Sequence, residues 1–353
     1  MARVASLQLT PPQPGNTAAN IDAIRSLLHS HLASRSQEAI DLLVLPEMIT
    51  TGYRFSDPNV IQALCEDVRQ ESSPSIALGS EIAQLMSAYV VIGFAERRES
   101  TSPSPTEEIS EYSISKAYDV RTPPFYVSTQ EPKSSIGYEY YNSAALFDRA
   151  GSLIHVFRKH FLYDDDKVWA QEGPGFQYVD IPDLGRLCVQ ICMDLNPYEF
   201  EAPFEAFELA SFCRQHNVDI LALPTAWLLS SDQNDNEAGG SDGSPDEPNM
   251  RTVEYWASRC KPLYTAPSPP SSDSPSTGSR GRRTIFIAAN RTGTEQGVTF
   301  AGSSSIFQFD DTDTQSSTSS QSPAVGSVQL LAAMGTQTQG LQSVTVALNN
   351  RKS

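Results

Sequence analysis

The run Leu187 to Met193 is apolar apart from Gln190 and stops abruptly at Asp194, Asn196 and Pro197. A run of that length closed by turn formers reads as a buried strand, which commits the chain to a sheet with a core around it. Cys192 falls at the end of this strand. A strand-end thiol followed by a sharp turn projects out of the sheet beside free backbone N–H groups, the arrangement a nucleophile attacking a carbonyl needs. The competing reading is that Cys192 is a small apolar core residue, as free cysteines commonly are.

Similar units recur along the chain. Arg3 to Leu9 reads as a first strand, and Thr17 to Leu32 as a helix with Ile21, Ile24, Leu27, Leu28 and Leu32 at helical spacing. Asp41 to Pro46 is a short strand ended by proline, with Glu47 just beyond it. Ser75 to Met86 reads as a helix, Tyr89 to Ala95 as a strand, and Tyr140–Phe147 with Ser152–Lys159 as a two-stranded meander that leaves Lys159 at its far end. Downstream come a helix at Phe204–His216, a strand at Val218–Pro224, a short helix at Met250–Cys260 with Trp256 inward, and strands at Thr284–Ala289, Ser304–Phe309 and Val344–Leu348. This alternation is that of an α/β protein.

The 353 residues, 39% of them hydrophobic, suffice for one domain carrying insertions. The insertions are expected at 97–137, 230–248, 262–283 and 311–324, where Ser, Thr, Pro, Gly and acidic residues leave little to bury. A formal charge of −17 disfavours nucleic acid and anionic membranes as partners and mildly favours a cationic substrate. Five cysteines without CxxC spacing or a His cluster argue against a disulfide framework and a zinc site, and so for a reducing compartment. No segment approaches the roughly 18 apolar residues of a membrane span, and the first strand begins too early to leave room for a presequence.

Glu47 and Lys159 each admit two readings. Glu47 is a solvated loop residue unless its loop folds inward, in which case Met48, Ile49, Tyr53 and Phe55 make an apolar setting that raises its pKa toward a range useful for proton transfer. Lys159 is a surface charge by default, but Val156 and Phe157 before it and Phe161 and Leu162 after it favour burial. Asp164, Asp165 and Asp166 read as a solvated acidic turn.

Three strand ends each carrying one reactive group, Glu47, Lys159 and Cys192, resemble the nitrilase superfamily of carbon–nitrogen hydrolases. The resemblance runs from about Arg3 to Phe309. It implies a four-layer αββα sandwich, a Glu-Lys-Cys catalytic set and no metal or organic cofactor. The longer runs Leu45–Met48, Thr51–Phe55, Tyr141–Ala144, Arg158–Tyr163, Ile191–Phe204 and Pro224–Trp227 are similar to the fungal branch that deamidates N-terminal Asn and Gln of proteins and feeds an N-degron pathway in the cytoplasm, with the nucleus and mitochondria as further compartments.

That resemblance implies that Cys192 attacks the amide carbon, Glu47 relays protons, and Lys159 with the Met193 N–H holds the oxyanion. Tyr53, Asn142 and Trp227 become substrate-binding candidates. Many relatives carry a second glutamate beyond the lysine, and either Asp166 or Glu172 could take its place. A carboxylate is expected to read the substrate's α-ammonium, with Asp194, Glu199 and Asp164 to Asp166 as candidates. A small-molecule amidase or nitrilase, and an inactive binding relative, are the alternatives.

Overall fold

A computed structural model describes residues 1–11, 13–33, 39–70, 72–100, 120–121, 137–230, 244–265, 282–311 and 326–349. The first half builds β1 (Ala2–Gln8), α1 (Thr17–Ala33), β2 (Leu42–Val44), α2 (Pro58–Leu64), α3 (Pro74–Met86) and β3 (Tyr89–Glu99). Next come β4 (Val120–Arg121), β5 (Tyr138–Phe147), β6 (Leu153–Arg158), a single turn α4 (Asp164–Lys167), β7 (Tyr178–Ile181) and β8 (Gly185–Val189). The remainder is α5 (Glu208–Gln215), β9 (Ile220–Thr225), α6 (Met250–Arg259), β10 (Arg283–Asn290), the hairpin β11 (Thr294–Glu295) and β12 (Val298–Thr299), β13 (Ser305–Asp310), β14 (Ser327–Ala333) and β15 (Gly340–Val346).

Two sheets result. One has the order β15-β1-β2-β3-β5-β6 and the other β14-β13-β10-β9-β8-β7-β4. Strand alternation gives each sheet two apolar faces. Val4, Val44, Val91 and Leu146 of the first sheet meet Val189, Ile220, Ile285 and Ile306 of the second in a shared core. On the outer side of the first sheet, Ala5, Leu7, Val90 and Ile92 pack under Ile24 and Leu28 of α1 and Leu78 and Ile82 of α3. Leu221 and Phe286 of the second do the same under Leu209 and Phe212 of α5 and Val253 and Trp256 of α6. The architecture is therefore the four-layer αββα sandwich. No described helix is long and apolar enough to cross a membrane.

Several boundaries depart from the periodicity. The strand at 187 ends at Val189, so Cys192 opens a 3-10 turn (Cys192–Leu195) rather than ending the strand. The helix expected from Phe204 begins at Glu208, because Phe207 adopts φ 44° and ψ 47° and breaks the register. β3 continues through Arg97 to Glu99, past the start assigned to the first insertion, because it pairs with β5 as far as Tyr138. The final strand starts earlier than expected, at Gly340, and β14 was not anticipated: its residues are half-exposed or exposed, which hides the alternation. So was α2, although Asp57 caps it by accepting from the Asn59 N–H and Pro58 occupies its first turn. Of the insertions, 101–119, 122–136, 231–243, 266–281 and 312–325 lie outside the described residues.

One packing detail bears on function. β3 passes so close to the chain after β2 that a Cβ on Gly93 would stand 2.6 Å from the Glu47 Cα and from the Pro46 carbonyl oxygen, and 2.8 Å from the Met48 N. Backbone cannot rotate away from such an overlap. Gly93→Ala is expected to destabilise the protein by about 1–3 kcal/mol, as overpacking does, and to displace Glu47. Urea denaturation measures the first effect, and turnover measured on the fraction that stays folded measures the second.

Candidate active site

Glu47 follows β2 and Pro46, and its side chain is fully buried. Lys159 follows β6; its N–H continues the ladder to the Asn142 carbonyl at 2.8 Å, and its side chain is also fully buried. The Lys159 Nζ donates to Glu47 Oε1 at 2.7 Å and to Asp166 Oδ2 at 2.6 Å. Asn142 Nδ2, from β5, donates to both of these carboxylates, at 2.7 Å to Glu47 Oε1 and 2.8 Å to Asp166 Oδ1. Glu47 Oε2 accepts the Ala226 N–H at 2.7 Å, just beyond β9 in the other sheet. The inward-folding reading of Glu47 and the buried reading of Lys159 therefore hold. Asp166 is buried as well, at the end of an acidic run that reads as solvated.

Cys192 lies at φ 46°, a region costly for a residue with a Cβ, which persists only when the surroundings over-determine it. Asp194 supplies much of that determination. Its Oδ2 accepts the Ile191 N–H at 2.8 Å, and its Oδ1 accepts the N–H groups of His160 at 3.0 Å and Phe161 at 2.7 Å. One carboxylate thus ties the Cys192 turn to the two residues that follow Lys159.

The electrostatics follow from burial and neighbours. Burial lifts the Glu47 carboxyl above the ordinary range against the pull of the Lys159 charge, and the Asp166 charge pushes it the same way. Burial would favour a neutral Lys159, but Asp166 and Glu47 outweigh it and hold the ammonium form. The Cys192 thiol is pushed up by burial and the Glu47 charge, while Lys159, the Thr225 hydroxyl and the Ala226 N–H oppose this. At rest the site is a neutral thiol beside a carboxylate paired with an ammonium. Such a thiol becomes a nucleophile when the carboxylate takes its proton.

Cys192 and Met193 line a cavity of about 1270 Å³ whose walls include Tyr53, Tyr163, Trp227, Tyr255 and Phe300, with Asn196 among its polar groups. Tyr53 also presents its ring 5.7 Å from Lys159 Nζ. No carboxylate side chain is among the described residues of the cavity wall.

The carboxylates expected to read an α-ammonium each have other partners here. Asp194 is buried with both oxygens engaged by backbone. Asp164 is exposed beside Lys167, Asp165 pairs with Arg54 at 3.4 Å, and Glu199 pairs with Lys167. Between the two acids considered beyond Lys159, Asp166 contacts its ammonium, whereas Glu172 accepts from the Tyr198 hydroxyl at 3.0 Å and does not line the cavity. The Ala226 N–H, Arg291 and Glu295, described below, went unread in the sequence. An Arg two residues beyond the buried run Thr284–Ala289, as Glu47 stands just beyond its own strand, was the available signal for Arg291.

A two-sheet sandwich with a thiol, an ammonium and two carboxylates gathered on the chain just beyond its strands defines a class. The sequence profile of the carbon-nitrogen hydrolases matches residues 3–199, and the chain belongs to that family. It is 33% identical over 310 residues, 84% of this chain and 88% of the relative, to the protein N-terminal amidase of Schizosaccharomyces pombe. It is 28% identical over 253 residues to the protein N-terminal amidase of Saccharomyces cerevisiae, covering 67% of this chain and 47% of that one. Among solved structures, an N-terminal amidase superposes with a TM-score of 0.71 at 22% identity over 99% of both chains. An N-terminal amidase with an Asn-Glu-Ala peptide superposes with a TM-score of 0.69 at 23% identity, over 98% of this chain and 97% of that one.

Two outcomes test the site. Protonating Glu47 removes the acceptor for the thiol proton, so activity should be lost as pH falls through its raised pKa. The acid limb of kcat/KM is expected above the ordinary glutamate value of about 4.3, read from a pH–rate profile. Lys159→Met leaves two buried carboxylates without their cation, which should cost about 3–5 kcal/mol of stability and nearly all turnover. Chemical denaturation beside single-turnover assays measures both.

Proposed function

We propose that this chain hydrolyses the side-chain amide of N-terminal Asn and Gln in peptides and proteins, releasing ammonia and leaving Asp or Glu. The observation that carries this is the Cys192 thiol on the wall of the cavity, backed by the Lys159–Glu47–Asp166 cluster. The likeness to protein N-terminal amidases supports the choice of substrate.

In this reading the Cys192 sulfur attacks the amide carbon while Glu47 accepts the thiol proton. Glu47 passes that proton to the departing nitrogen, ammonia leaves, and a thioester remains. Water, deprotonated by Glu47, then attacks the thioester and restores the thiol. Lys159 and the Met193 N–H stabilise the oxyanion of both tetrahedral intermediates. Asp166 and Asn142 do no bond chemistry; they hold the Lys159 ammonium and the Glu47 carboxylate in place.

The substrate's α-ammonium meets neutral oxygens here. Asn196 Oδ1 accepts the Tyr255 hydroxyl at 2.7 Å and keeps a second lone pair, and Tyr163 lines the same cavity. A chain of charge −17 adds a field that favours the cation. The product, an N-terminal acidic residue, would enter an N-degron pathway, and the five free thiols suit action in the reducing cytoplasm.

An Asn-peptide with a free N-terminus should gain about one dalton, and its acetylated form should lose at least about tenfold in kcat/KM, since hydrogen bonds to a charged group contribute about 1.5–3 kcal/mol. Mass spectrometry across a panel of first residues reads both. Equal efficiencies would leave a general small-molecule amidase. No turnover of any amide, with Cys192 no more reactive to iodoacetamide than the other thiols, would leave an inactive binding relative.

A further inference from the structure

A second buried ion pair lies behind the site. Arg291, the residue after β10, is fully buried, and Glu295 in the following hairpin is nearly so. Arg291 Nη2 donates to Glu295 Oε2 at 2.8 Å. Removing two charges from water is costly, and a buried pair is weak evidence for stability in itself. The remaining bonds of this pair reach the segment that carries Glu47.

Glu295 Oε1 accepts the Tyr53 N–H at 2.8 Å and the Arg54 N–H at 2.7 Å. Arg291 Nη1 reaches the Met48 carbonyl at 3.4 Å, and its guanidinium lies over the Phe300 ring at 4.9 Å. Phe300 in turn meets Tyr53 edge-on at 6.3 Å, and both rings line the cavity. Residues 48 to 54 leave the first sheet with left-handed backbone at Met48 (φ 44°), a conformation that a residue with a Cβ does not hold unaided. Arg291, just beyond β10 of the second sheet, and Glu295, in the β11–β12 hairpin that follows it, grip this segment at both ends.

We propose that Arg291 and Glu295 are positioning residues for the reaction, a bracket that fixes the Glu47–Tyr53 segment against the second sheet and so sets the separation of Glu47 from Cys192. The proposal rests on Cys192 and Glu47 acting as nucleophile and base, as in the reading above. The groups facing Glu47 are Lys159 and Asp166 from the β6 side, Cys192 and Tyr53 around the cavity, and Arg291 from behind. Arg291 contributes positive charge there, which favours ionised Glu47.

The test compares Glu295→Asp with the double variant Arg291→Met/Glu295→Gln in the full chain. Glu295→Asp keeps both charges but draws the carboxylate back by one methylene, so it cannot span Arg291 and the two N–H groups. The double variant removes both charges and leaves no unpaired ion. Each is expected to lose roughly ten- to a hundredfold in kcat on the Asn-peptide, as displacements of about 1 Å do, with a smaller change in KM. The double variant should also move the acid limb of the pH profile upward. Alkylation of Cys192 by iodoacetamide should slow in parallel and shift with pH in the same direction. Because alkylation needs no amide substrate, it separates this proposal from the substrate reading: if wild type is alkylated at Cys192 but leaves the Asn-peptide unchanged, only the substrate assignment fails. Wild-type kcat and alkylation rate in folded Glu295→Asp would overturn the bracket. Should the double variant not fold, Glu295→Asp alone decides.

Discussion

The structure turns on the Lys159 ammonium, fully buried between the carboxylates of Glu47 and Asp166. One cation and two anions taken out of water would be untenable if any were left short of partners. Here Asn142 donates to both acids, the Ala226 N–H caps Glu47, and the Tyr163 N–H supports Asp166 at 3.1 Å. These donors come from β5, from the chain after β9 and from the start of α4. Only the Ala226 N–H comes from the second sheet, so Glu47 gains that donor when the two sheets close.

The same constraint explains the turn at Cys192. Cys192 is held in a backbone conformation that costs energy, and Asp194 answers by accepting three backbone N–H bonds. Burial pushes the Asp194 carboxyl up, to about 7, against the pull of those N–H groups. Its role is to lock the Cys192 turn to the chain after Lys159, so that thiol and ammonium keep their spacing. An acid adjacent to a nucleophile in sequence can therefore be structural when its oxygens are spent on backbone.

Division of labour among carboxylates follows. Glu47 and Asp166 surround a cation, Asp194 and Glu295 bind backbone N–H groups, and Asp164, Asp165 and Glu199 face arginine or lysine near the surface. That leaves a cavity whose described wall is aromatic and polar, with Arg251 and no carboxylate on it, in a chain of charge −17.

Local sequence was enough for the α/β alternation, most strand positions, and the placing of Glu47 and Lys159 just beyond their strands, because apolar periodicity and turn formers are written residue by residue. It also carried the family's long run around Cys192. The burial of Asp166 amid exposed neighbours was decided elsewhere, by Lys159 and Asn142 arriving from other strands. So were the 3-10 turn that takes Cys192 off its strand, the structural use of Asp194, and the Arg291–Glu295 grip on a loop some 240 residues away, as the separations of 241 and 242 record. Each depends on which groups meet across two sheets, and a charged residue's environment is set by those partners rather than by its neighbours along the chain.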